Sequence, residues 1–130
     1  MNPNRMLTIA SLLLIILSLA HLAQDIVYGY EPGTVNNLLV VPIAVVWLYG
    51  TLVLTGRRSG YSIILLFSLL SLVVPYVHMS GKGAGVASRV AFHSGHFFFV
   101  FSLFAIGVLA LFSAILAARA LWSLPWRRSR

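Results

Sequence analysis

Four apolar runs, each about as long as a bilayer is thick, decide what this chain can become. They fall at about residues 6–27, 38–55, 60–79 and 90–118. The bodies of the first three read "LTIASLLLIILSLAHLA", "LLVVPIAVVWLYGTLVLT" and "GYSIILLFSLLSLVVPYVHM". A helix that crosses the hydrocarbon core needs about 20 such residues, within a range of about 17 to 25. In hydrocarbon the backbone finds no water to bond, so a spanning run must satisfy its own N–H and C=O groups as a helix. The first three runs fit directly. The fourth is longer, and is expected to tilt or to project from one face. Only 8% of the residues are charged and 60% are hydrophobic, where a soluble domain has about 25% charged. The expected fold is therefore all-α: one transmembrane up-down four-helix bundle over residues 1–130.

The connections are short. "GRRSG" (56–60) is a tight turn, "YGYEPGTVNN" (28–37) carries Pro32 and Gly33, and "SGKGAGVASR" (80–89) precedes the fourth helix. Asn36 or Asn37 is the expected N-cap of the second helix. "SGKGAG" is not a phosphate loop, because the spacing of a Walker motif is missing.

Charge sets the orientation. With four spans, Arg5, Arg57, Arg58, Arg119, Arg127, Arg128 and Arg130 share one side, and no acidic residue accompanies them. Lys82 and Arg89 lie on the other side, with Asp25 and Glu31. The positive-inside rule places both termini in the cytoplasm of a bacterial-type inner membrane. The net charge of +7 sits at the ends of apolar runs, so it marks topology and not nucleic-acid binding. "MNPNR" followed by "SLA" (18–20) has the form of a signal peptide, but the apolar run is long and is read as a span. Without cysteine, a disulfide framework, an iron–sulfur cluster and a thiol nucleophile are excluded.

On that topology every histidine and both acidic residues fall at the extracytoplasmic end. His21 and Asp25 are four apart on the first helix and share a face. His78 ends the third helix. In "AFHSGHFFFVF" (91–101), His93 and His96 are three apart at the entry to the fourth. Such spacings let one helix offer two ligands to one ion, and neutral imidazole suits zinc, copper or iron. Ionisable residues in membrane segments are functional candidates. The expected metal ligands are His21, His78, His93 and His96, with Asp25 as ligand, partner or catalytic carboxylate. The alternatives are a single haem, or a non-catalytic accessory subunit or homo-oligomer whose histidines are structural or pH-responsive.

Three further features are weighed as packing against pocket. Pro75 is expected to kink the third helix and free a carbonyl near His78. Trp47 and Tyr49 carry polar tips that want partners when buried. Phe97, Phe98 and Phe99 point three ways on a helix, so one or two at most face a pocket.

"SLAHLAQD" (18–25) resembles a stretch of membrane zinc hydrolases of the alkaline ceramidase and progestin/adiponectin-receptor kind, with Ser18, His21 and Asp25 as counterparts. The resemblance covers these residues alone. Those proteins have more spans, and the serine here is one residue closer to the histidine. It implies one mechanism: a His-bound zinc lowers the pKa of water, and Asp25 orients or deprotonates that water. Four histidines in four spans also matches the count in a small di-haem cytochrome b, but the second helix has none, which leaves one haem at most. Small multidrug transporters share the four short helices but use a glutamate in the first, where this chain has Glu31 in a loop.

Overall fold

The computed structural model describes residues 2–80 and 97–124. Their regular structure is entirely helical: α1 (Pro3–Val27), a 3-10 turn (Val35–Leu39) that runs into α2 (Val40–Leu52), α3 (Arg58–Ser80) and α4 (Phe97–Ser123). Four helices are long and apolar enough to cross a membrane, the second of them Val35–Leu52 with its 3-10 turn included. That turn matters, because a 3-10 residue rises about 2.0 Å against 1.5 Å in an α-helix, bringing the short second helix to roughly 30 Å.

The bundle is apolar outside and finely polar inside. Leu13, Ile16, Val45, Leu66, Phe104 and Ile115 are exposed. Ser11, Thr51, Ser68, Ser71, Ser102 and Ser113 are buried beside Ala110 and Ala117. A water-soluble protein would reverse this. In lipid, where tails are as apolar as leucine, small residues and side-chain hydrogen bonds hold helices together instead. α3 packs most extensively on α4, α1 packs on α4, and α2 packs on α3 and α1. α1 and α3 touch little.

Local chemistry explains the helix ends. α1 starts three residues before the expected Met6, because the Asn2 side chain accepts from the Asn4 N–H and Pro3 occupies the first turn. There the missing proline N–H costs nothing. The expected asparagine cap of the second helix is corrected: Thr34 caps the 3-10 turn, and Asn37 Oδ1 accepts the Thr34 N–H at 2.7 Å. α2 stops at Leu52, short of the expected Thr55. The chain must turn there through Gly56, whose φ is +81°, and then bring Gly60 against the Leu54 carbonyl, where a Cβ would collide. α3 spans 58–80 against the expected 60–79. α4 runs on to Ser123, past the expected end at Ala118. Its last carbonyls are partly met by Arg58, whose guanidinium donates to Leu121 O at 3.3 Å and Leu124 O at 3.0 Å. The residues 90–96, expected to open the fourth helix, lie outside the described residues.

Trp47 finds the partner that a buried indole needs. Its Nε1 donates to Ser11 Oγ at 3.0 Å, Ser11 and Thr51 share a 2.8 Å hydrogen bond, and the indole stacks on Phe67. Tyr49 is exposed. Ser11→Ala strands both Trp47 and Thr51 in an apolar interior. Helix-joining hydrogen bonds in membranes average about 0.6 kcal/mol and reach about 1.7. We expect a loss near 1 kcal/mol in detergent unfolding, with a shift in tryptophan emission as the indole loses its acceptor.

Candidate metal centre

The last turns of α1 and α3 and the first turns of α4 meet at one end of the bundle. Helical spacing puts His21 and Asp25 on one face of α1. His78 enters from α3, one turn beyond Pro75, which lies inside a helix that continues to Ser80. His21, Asp25 and His78 are all buried, at 2%, 7% and 6% exposure. His78 Nε2 lies 3.2 Å and 3.3 Å from the two Asp25 oxygens. His21 Nε2 lies 3.8 Å from Asp25 Oδ2, too far for a hydrogen bond. One donor atom from each residue can be chosen so that all three lie within 4.8 Å of one another.

The far side of His21 is fixed. Its Nδ1 is 2.8 Å from Ser102 Oγ, and that hydroxyl is placed to donate to the Phe99 carbonyl at 2.8 Å or to Gln24 Oε1 at 3.1 Å. Ser102 has one proton. Spent on either acceptor, it leaves the serine oxygen to accept from His21 Nδ1–H. Nε2 then carries the lone pair, aimed at Asp25 and without a hydrogen-bond partner among the described residues. A bare imidazole nitrogen beside a carboxylate, both acceptors, is an arrangement that needs a cation or a proton between them. The support behind the ring is of the kind that orients metal-bound histidines.

Aromatic rings close the end. Phe99 is 1% exposed, lies 4.6 Å from the His21 ring and stacks at 5.6 Å on His78. Tyr30 and Tyr28 meet Phe99 edge-on at 5.2 Å and 6.1 Å. The Tyr30 and Glu31 N–H groups both donate to the Asp25 carbonyl, which folds the loop back over the helix end. Burial, Tyr28 and Asp25 all hold the Tyr30 phenol above its ordinary pKa.

Of the expected residues, the structure brings together His21, Asp25 and His78. His93 and His96 lie outside the described residues. His78, one of the four expected ligands, is the residue in direct contact with Asp25. Of the three phenylalanines, Phe99 alone is buried. The structure adds Ser102 and Gln24 to the site. Their signal was available in hindsight: a lone serine amid "FFFVFSLF" must bond something, and Gln24 follows His21 by three residues. Comparison with protein-family models, curated proteins and solved structures gives no match.

Removing the serine should weaken the site without emptying it. For Ser102→Ala we expect metal affinity to fall roughly 10- to 100-fold, the usual cost of losing the group behind a ligating histidine. Competition with a chromophoric chelator measures it, and the bound stoichiometry at saturation should not change.

Proposed function

We propose that this protein is a multi-pass membrane protein that binds a first-row transition-metal ion through His21, Asp25 and His78. The observation that carries the reading is the bare Nε2 of His21, held by Ser102 on its other side and facing Asp25 in a buried, covered site. Tetrahedral zinc with bonds of about 2.0–2.1 Å sets its ligand atoms about 3.3 Å apart. The Nε2–oxygen distances of 3.2 Å and 3.8 Å bracket that value, within a set of three donor atoms that spans up to 4.8 Å. Three protein ligands leave a fourth position, as at catalytic zinc sites, where the ion acts as a Lewis acid and activates water. The Asp25 carboxylate lies between the two imidazoles and not behind one of them. That favours a ligand role for it over the general-base role. The two rings of His21 and His78 lie 4.9 Å apart in contact, which leaves no slot for a porphyrin between them.

We place the bundle up-down in a bacterial-type inner membrane, with both termini cytoplasmic and the site at the extracytoplasmic end. The cation distribution supports this orientation. The lipid bilayer is its solvent; a homo-oligomer or a larger membrane complex is compatible with the exposed apolar faces.

The test is metal analysis and an absorption spectrum on detergent-purified protein, with His21→Ala beside it. Near-stoichiometric zinc, copper or iron that disappears in the variant is the expected result. Protein that stays metal-free when each ion is offered would end the reading. The second reading, an accessory subunit with structural histidines, is favoured by the His78–Asp25 contact, which can stand alone as a hydrogen-bonded pair. It differs in additivity: a shared ion makes the single changes at His21, Asp25 and His78 equivalent, whereas separate anchors give small, independent effects.

A further inference from the structure

The site has a covered end and an open flank. Phe99, Tyr30 and Tyr28 close it towards the loop. On the flank, α1 and α3 touch little, and a groove runs between them. Its upper part, about 390 Å³, is lined by His21, Asp25 and His78 together with apolar side chains such as Val73 and Val77. A second part of about 220 Å³ shares Ser18, Leu70 and Val74 with the first and is walled by α2 as well, through Ile43, Ala44 and Trp47. Leu70 and Val73 are 54% and 49% exposed. On a spanning helix, that exposure faces lipid. At the junction, Ser18 Oγ is buried without a hydrogen-bond partner among the described residues. A long apolar channel, open to the hydrocarbon and ending at polar atoms that lack partners, fits a chain with a polar head.

The charge of the lining selects the head. Among the described residues no Lys or Arg lines either part of the groove, so without metal a carboxylate or phosphate head would lie uncompensated against Asp25. A hydroxyl fits both states of the site. Without metal its O–H donates to the bare His21 Nε2. With metal its oxygen takes the fourth position. We propose that the groove admits from the bilayer a single-chain amphiphile with a hydroxyl head, and brings that head to His21, Asp25 and His78. The inference rests on the metal reading for the fourth ligand only.

The experiment uses the full chain in phosphatidylcholine nanodiscs and a photoreactive probe, hexadecanol with a mid-chain diazirine. Adducts are located by mass spectrometry. We expect saturable labelling at Leu70, Val73 and Val74, displaced by plain hexadecanol at roughly one-tenth the concentration needed for hexadecane or palmitate. Phe104 and Ile115, exposed on α4, should label without saturation. Leu70→Trp, which fills the groove from its exposed wall, should reduce the groove adducts to that background, and Val73→Trp should do the same. Uniform, unsaturable labelling over all exposed positions overturns the groove, and stronger displacement by palmitate overturns the hydroxyl head. Metal analysis of the same sample separates the two readings. Saturable labelling of metal-free protein supports the groove while removing the ion, and uniform labelling of metal-loaded protein does the reverse.

Discussion

We expect Asp25→Leu protein to bind the proposed metal roughly a thousandfold more weakly than the wild type. Losing a group behind a ligating histidine already costs about 10- to 100-fold, and Asp25 contributes more than such a group. It is the residue that touches both imidazoles. It also supplies the negative charge: the chain has two acidic residues, and the other, Glu31, lies in the loop after α1. A divalent ion held by two neutral rings in an apolar bundle would be poorly compensated, and charge desolvation costs several kcal/mol even after relaxation. Leucine keeps the branching of aspartate at Cγ, in a larger side chain that carries no charge. Without metal, the variant leaves the His78 ring short of one hydrogen bond, worth about 1–3 kcal/mol. Chelator competition reads the affinity, and thermal unfolding of metal-free protein reads the stability. Unchanged metal affinity would remove Asp25 from the ligand set.

Phe99→Ala acts on access. Phe99 is 1% exposed and touches both histidine rings and both loop tyrosines. In a soluble core Phe→Ala costs about 3–5 kcal/mol, of which the transfer from water is a large part. Among lipid tails that part is largely missing. What remains is the void, at about 24 cal/mol per Å³. For about 100 Å³ removed, the cost is about 2 kcal/mol. The larger effect is kinetic, because the apolar shell around a metal controls solvent access. We expect an aqueous chelator to strip the ion at least roughly tenfold faster than from the wild type. Stripping at the wild-type rate would show that Phe99 does not seal the site.

Much of the fold was legible because lipid imposes a simple rule: a run of apolar residues of sufficient length must be helix. The ends were less legible where a local bond competed with the run. Thr55 follows an apolar stretch, yet its hydroxyl bonds back to the Thr51 carbonyl and the helix has already ended. Asn2 and Pro3 begin α1 ahead of the apolar residues. Half of the site could be read from spacing, since His21 and Asp25 share a helix face whatever surrounds them. Its completion could not. Whether His78 faces Asp25 depends on the rotation of α3, and a helix that is apolar nearly all round carries no periodic signal of its buried side. The same blindness hid Ser102 and Phe99 within an unbroken apolar run. Trp47 showed the need for an acceptor, but only packing identifies Ser11.

The lightly packed line between α1 and α3 is stitched at its two extremities. Tyr61 donates to Asn4 Oδ1 at one, and His78 meets Asp25 at the other. A slit sewn at both ends behaves like a buttonhole: its lips cannot slide past each other. An ion held by His78, His21 and Asp25 would tighten one of the stitches, and with it the end of the slit beside the site.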